Sequence, residues 1–524
     1  MKIFHGKIIT CDWEGSVCEY LVENGGKIIY VGDRLPEAYS EIDENVEFIE
    51  LGRQALLPAF GDGHIHFSSW ALFNSTFDVL PASSIAETGK MIELYAEEDQ
   101  KAKVLFGFGH SPHKIQEKRL ITRTELDQFV KDRPVFLVCY EGHSAVVNTR
   151  AIGIMPFNIR NLRGFDLETG QVFYEAFQEA VNYISGKMPV TTLANYMLQG
   201  MDDLAAYGVG LVHTTEGLGY PRDLDVDLVR FLSGSSQLRF RVYFQTMTLK
   251  KVLKRGLPRV GGCFECALDG SLGTRDAALL EPYADDDQYR GLLYYSDEQV
   301  YNFVREANRA ELQVQLHCAG DAAVVQAVDA IEAALKDYPR EDHRHTLIHA
   351  PLIPEGTLEK IAGLGIGITI QPAFLVSDVE PAEYVEKLLG ERINRIWPLK
   401  KMLAMGLNVS GGSDGPVLEP DPVTGIFGAC NHPISGYSAD IEDALSMYTY
   451  NIAHTSFDEN ERGSLEAGKE ADMVVLSDNP LEMETGRLTD LKVEKLYLSG
   501  EEYQGLKSAS QAIIKSLKNR FRAG

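Results

Sequence analysis

Leu56-Leu57-Pro58-Ala59-Phe60-Gly61-Asp62-Gly63-His64-Ile65-His66 is an apolar run that delivers two imidazoles one residue apart. Along an extended strand, residues i and i+2 share a face, so both rings can reach one ion. An HxH pair alone proves little, because a histidine is commonly a satisfied core or surface residue. Its weight comes from three later apolar runs that also end in a potential ligand. These are Leu312-Gln313-Val314-Gln315-Leu316-His317, Thr346-Leu347-Ile348-His349, and Leu407-Asn408-Val409-Ser410-Gly411-Gly412-Ser413-Asp414. Each reads as a short buried strand followed by loop-forming residues. The carboxyl ends of parallel barrel strands open on one mouth, so groups distant in sequence can meet there.

Working outward, strand-like runs alternate with helical patterns such as Asp297 to Arg309 and Ala322 to Lys336, which predicts parallel βα units. Residues 1–55 hold short alternating runs punctuated by Gly25-Gly26 and Gly32, and similar material returns in Ala471 to Leu476 and Val493 to Leu498. The expected organisation is α/β. A distorted TIM barrel over 56–461 carries an insertion at about 70–200, a small β-sandwich is built from 1–55 and 462–505, and a basic helical tail spans 506–524.

The 524 residues, 44% hydrophobic, suffice for a large barrel and one smaller domain. A formal charge of -26 argues against nucleic acid or an anionic membrane surface as partner. No apolar stretch approaches the ~20 residues that cross a bilayer. The start, Met1-Lys2-Ile3-Phe4-His5, lacks the apolar core of a signal peptide, so the expected compartment is the cytoplasm. Seven scattered cysteines do not suggest a disulfide framework; Cys263 and Cys266 form a CxxC in an apolar run and read as buried thiols rather than a zinc or redox pair.

The ordered motifs also resemble a known group. Leu57 to His66, Asp132 to Leu137 with Glu141-Gly142-His143-Ser144, Gly208 to His213, and Leu268 to Arg275 are followed by His317-Cys318-Ala319-Gly320-Asp321, Gly412-Ser413-Asp414 and Gly463 to Asp472. Together they are similar to the amidohydrolase superfamily, and within it to the YtcJ-like amidohydrolases that include N-substituted formamide deformylase. The resemblance implies a metal centre with His64 and His66 after the first barrel strand, His317 and His349 after the fifth and sixth, and Asp414 after the eighth. Counting back from Asp269-Gly270-Ser271, the place where many relatives carry a carboxylated, metal-bridging lysine falls on Glu265. The expectation is that Glu265 bridges two ions; binding one, or neutralising the site, are the alternatives. Glu175 is a second candidate carboxylate, with a surface role as the alternative.

Imidazole and carboxylate ligands suit one or two divalent ions, zinc first among them. The implied chemistry is hydrolysis of an amide, formamide or cyclic amide C–N bond in a small molecule by a metal-activated water, with Asp414 moving the proton. His143 is expected to bind the substrate or its oxyanion, with a structural role beside the ligands as the alternative. His213 and Arg275 are weaker candidates for substrate contact, and a structural ion pair is the alternative for Arg275. Asp62 reads as a brace for the HxH turn, and Asp321 as orienting a ligand or capping the following helix. Two other functions stay open: a mononuclear deaminase of an amino-heterocycle, and a non-catalytic binding or regulatory protein on the same barrel. Homodimerisation is a superfamily expectation.

Overall fold

The computed structural model describes residues 1–39, 46–100 and 102–505; the basic tail read in the sequence lies outside the described residues. Eight strands form one all-parallel sheet whose spatial order follows the chain. They are β1 (Phe60–Ile65), β2 (Val209–Glu216), β3 (Arg239–Phe244), β4 (Arg259–Ala267), β5 (Gln313–Cys318), β6 (Thr346–His349), β7 (Gly367–Ile370) and β8 (Val409–Gly411). The first and last strands then meet. Asp414 N donates to the His64 carbonyl at 2.8 Å. A Cβ placed on Gly63 would lie 2.7 Å from the Gly411 carbonyl oxygen, so only glycine lets the two strands approach this closely. The sheet is thus a nearly closed barrel.

Helices cover the outside, which explains why β1, β2 and β5 are buried along their whole length instead of alternating. The helix Asp297–Arg309 shows how the sequence specifies this layer. Ser296 and Gln299 form a capping box, and Val300, Phe303, Val304 and Ala307 recur at helical spacing on the buried face. The next helix, Asp321–Asp337, packs beside it and returns the chain to β6.

Both chain ends build a separate seven-stranded sheet in the order Glu501–Glu502, Val493–Leu498, Met473–Leu476, Glu47–Pro58, Lys2–Ile9, Val17–Asn24, Lys27–Gly32. All its neighbours are antiparallel except Lys2–Ile9 beside Glu47–Pro58, where a register break sets His5–Lys7 against Glu50–Ala55. The sheet closes over its own core of Phe4, Ile8, Leu21, Ile28, Leu56, Met473 and Val475. Between β1 and β2, residues 66–208 carry a five-stranded sheet, Phe77–Asp78, Leu105–His110, Val135–Cys139, Ala145–Val147 and Gln171–Val172. No described helix is long and apolar enough to cross a membrane.

A buried ladder of charge ties the barrel to the chain-end sheet. Arg241 on β3 donates to Asp458 at 2.7 Å, Arg462 donates to Asp458 at 2.9 Å and to Asp472 at 3.2 Å, and Asp472 accepts from Ser499 N at 2.7 Å. Burial would raise the Asp458 pKa, but the bond from Arg241 and the charges of both arginines outweigh it and hold the carboxyl below its ordinary range. Its stabilisation is therefore present at neutral pH and lost as pH falls through the folded-state value. Removing one partner strands buried charge, so Arg462→Met is expected to cost about 3–5 kcal/mol, read as a lower thermal unfolding midpoint at neutral pH. An unchanged midpoint would show that the ladder adds no net stability.

Candidate metal centre

At the carboxyl end of the barrel the side chains of His64, His66, His317, His349 and Asp414 converge around a sixth donor, the Cys263 thiol. Two donor groups share that sulfur: His64, His66, Cys263 and Asp414 form one, and Cys263, His317 and His349 the other, each with ligand atoms within 4.8 Å of one another. Cys263 Sγ lies 3.4 Å from His64 Nε2, 3.3 Å from His317 Nδ1 and 3.9 Å from His349 Nε2. Asp414 Oδ1 lies 3.3 Å from His64 Nε2 and 3.4 Å from His66 Nε2. His349 and Asp414 adopt φ of 67° and 60°, left-handed values that cost a non-glycine residue energy and that persist where the surroundings fix a functional geometry.

The distal nitrogens decide which atoms are free to ligate. His317 Nε2 is 2.9 Å from the Gly270 carbonyl, His349 Nδ1 is 2.7 Å from Gln371 Oε1, and His66 Nδ1 is 3.1 Å from Thr215 Oγ1. A ring that donates its far N–H to an oxygen leaves the near nitrogen's lone pair facing the cluster, the arrangement a metal-bound imidazole requires. Backbone is fixed in the same way. Asp62 Oδ1 accepts from His64 N at 3.0 Å and Ser413 N at 3.1 Å, bracing β1 against the Asp414 loop. Asp269 accepts from Ala319, Gly320 and Ala278 at 2.9, 2.7 and 2.8 Å, holding the turn after His317.

Electrostatics favour a cation at the centre. Burial lowers His64 to about 4, lowers His349, and takes His317 well below its ordinary range, so these rings are neutral at pH 7. Burial opposes ionisation of Asp414, but His349, His64 and His66 outweigh it and hold the carboxyl well below the usual carboxylate value. Burial pushes the Cys263 thiol far up. A buried thiol of this kind becomes a thiolate when a metal ion stands beside it. The donors present, imidazole, carboxylate and sulfur, therefore fit divalent metal ions.

The structure corrects the sequence reading at Glu265. That residue is exposed and its Oε2 accepts from Met247 N at 3.2 Å, outside both donor groups. The reason is a bulge in β4. Gly262 pairs with Leu316 and the next paired residue, Ala267, with His317, while Phe264 takes φ 51°. Counting back along a regular strand therefore lands on the wrong face, and Cys263 occupies the shared position. Cys263 and Cys266 are both buried free thiols, as read, and the Cys263 sulfur stands among the imidazoles and Asp414. The signal was present: Arg259-Val260-Gly261-Gly262-Cys263 is a further strand-like run ending in a potential ligand.

The other candidates separate. His143 lines a cavity of about 410 Å³ that opens onto the centre, its ring stacked on Phe264 at 4.8 Å and its pKa lowered by burial. His213 does not line that cavity. It sits on β2 two residues before Thr215, fully buried, with neither ring nitrogen partnered, so substrate contact is withdrawn. Arg275 pairs with Asp285 at 2.9 Å and is not in the cavity wall, which leaves the structural ion pair. Asp321 accepts from Leu280 N at 2.8 Å and anchors a loop, while Glu175 is paired with Arg163 at the surface. His432, given no role from sequence, lines the cavity, but its nitrogens are engaged with Ile396 O and Ile434 N.

A sequence model of the amidohydrolase family matches residues 47–503. The Bacillus subtilis protein YtcJ is 26% identical, with 95% of this chain and 98% of its own covered. N-substituted formamide deformylase of Arthrobacter pascens is 23% identical, with 95% and 97% covered. The crystal structure of an uncharacterized metal-dependent hydrolase from Pyrococcus furiosus has a TM-score of 0.74 at 28% identity, covering 92% of this chain and 100% of that one.

Two variants separate the sulfur from the carboxylate. By plasma mass spectrometry of protein purified without chelator, Glu265→Gln is expected to retain the native metal content and Cys263→Ala to lose at least half of it. Gln371→Ala, which frees His349, should weaken metal affinity by about 10–100-fold. Metal loss in Glu265→Gln with full retention in Cys263→Ala would reverse the assignment.

Proposed function

The chain belongs to the amidohydrolase family, and from that premise we propose that it is a metal-dependent hydrolase that cuts a C–N bond of amide, formamide or cyclic amide type in a small molecule. The observation that carries this reading is the pair of donor groups sharing the Cys263 sulfur at the floor of a cavity. Two groups favour a binuclear site, and with it amide hydrolysis over the mononuclear deaminase alternative. A thiolate among imidazoles favours zinc over manganese. The formamide chemistry named for the Arthrobacter relative lies within the same bond class.

Divalent ions held by His64, His66, Cys263, His317, His349 and Asp414 would polarise a carbonyl and lower the pKa of water from 15.7 to about 7. The rest falls to the chain's own side chains. Asp414, held ionised by the imidazoles around it, is the acceptor for the proton of the attacking water and returns it to the departing amine. His143, kept neutral by burial and fixed against Phe264, offers an N–H to the carbonyl oxygen as negative charge grows on it. The cavity walls come from loops after the barrel strands and from the insertion, and they keep bulk water from the reacting bond.

The test is turnover of a panel of formamides, cyclic amides and amino-heterocycles before and after chelation. Chelated protein is expected to be inactive toward the amides and to recover on addition of zinc. His143→Ala should lower kcat by about 100-fold or more without changing metal content. Full amide turnover by the chelated protein would refute metal dependence, and unaltered kcat in His143→Ala would remove His143 from the chemistry.

A further inference from the structure

The cavity beside the metal centre holds unspent polarity of a particular kind. Among the described residues no lysine or arginine lines it, and its walls are largely apolar, with Tyr140, Phe264, Phe374 and Trp397 among them. Besides Asp414, two carboxylates nevertheless stand in those walls. Glu141 comes from the turn between Val135–Cys139 and Ala145–Val147 of the insertion, and Glu380 from the segment after β7. Their partners are neutral donors: Ser144 Oγ for Glu141, and Tyr140 Oη at 3.4 Å with the Gly273 backbone for Glu380. Among the described residues neither makes an ion pair, and burial raises both to about 7.

Carboxylates set in a largely apolar wall with neutral hydrogen-bond donors and no cation are costly to ionise, so their place in the cavity favours a ligand that supplies the charge. A second observation comes from the metal end. Gln371, fully buried and also lining the cavity, spends its Oε1 on His349 and leaves Nε2–H without an acceptor. One end of the cavity thus lacks a carbonyl-like acceptor, and its wall lacks a cation. Acidic residues facing aromatic rings also suit an ammonium group, which the ring faces attract.

We propose that the cavity selects amides whose apolar frame, aryl or alkyl, carries a protonated amino group, with Glu380 and Glu141 as its counter-ions, and that it disfavours substrates bearing a free carboxylate. This rests on the hydrolase reading, because the substrate's carbonyl is placed by the metal centre. It explains why a largely apolar wall retains Glu141 and Glu380 with no lysine or arginine among the described residues.

Binding can be measured apart from turnover. The probes are a phenylpropyl-trimethylammonium ion, which cannot ligate a metal, and the uncharged phenylpropanol, titrated calorimetrically into zinc-loaded protein. The ion is expected to bind roughly tenfold or more tightly than the alcohol, and this ratio should fall toward one in Glu380→Gln and in the Glu380→Gln/Glu141→Gln double variant. Metal content and circular dichroism check that both variants are folded and loaded. A native ratio near one, or a ratio that survives both substitutions, overturns the inference. Metal-dependent hydrolysis of paired N-phenylalkyl formamides, one uncharged and one carrying a protonated amino group, reports separately on the hydrolase reading: no turnover of either with the cation preference intact removes that reading, and turnover with no preference removes this one.

Discussion

Burying imidazoles, a carboxylate and a thiol against one another costs free energy unless positive charge stands among them. Here the donors of each group lie within 4.8 Å, and the sulfur of Cys263 belongs to both. Much of the surrounding architecture serves that constraint. Gly63 lets β1 and β8 touch, which brings His64 and Asp414 together, and Asp62 pins the backbone of both. The bulge in β4 turns Cys263 inward and sends Glu265 out. Gly270, Gln371 and Thr215 orient the rings of His317, His349 and His66.

How far these features could be read in advance follows from their locality. His64, His66, His317, His349 and Asp414 each end an apolar run, and the end of a parallel strand is where a barrel collects its chemistry. The alternation of strands and amphipathic helices, and the return of strand-like runs near residue 471, were equally open to inspection because periodicity is a local property. Glu265 was placed by a fixed spacing back from Asp269-Gly270-Ser271, and a bulge between Gly262 and Ala267 turns that position outward without leaving a unique mark in composition. Gly261-Gly262, inside the run that ends at Cys263, was a hint of the bulge. His213 failed for another reason: a histidine near the end of a strand can point down into the barrel interior as well as up into the mouth, and only tertiary placement decides.

The cavity was the least legible part. Its wall is assembled from the insertion between β1 and β2 and from loops after several other strands, so Glu141, Phe177, Glu380 and Trp397 become neighbours of one space only when the barrel closes. The barrel and the donor set define what bond chemistry is available; the wall defines what molecule brings the bond. Family membership speaks to the first of these, and the contrast between an apolar lining and two uncompensated acids speaks to the second.

X-ray absorption spectroscopy at the metal edge of the native protein tests the shared thiolate most directly. The account predicts a sulfur neighbour at about 2.3 Å for both ions, with a second metal at roughly 3.5–4 Å. A first shell of nitrogen and oxygen alone, with no sulfur contribution, would contradict it and return Cys263 to the core.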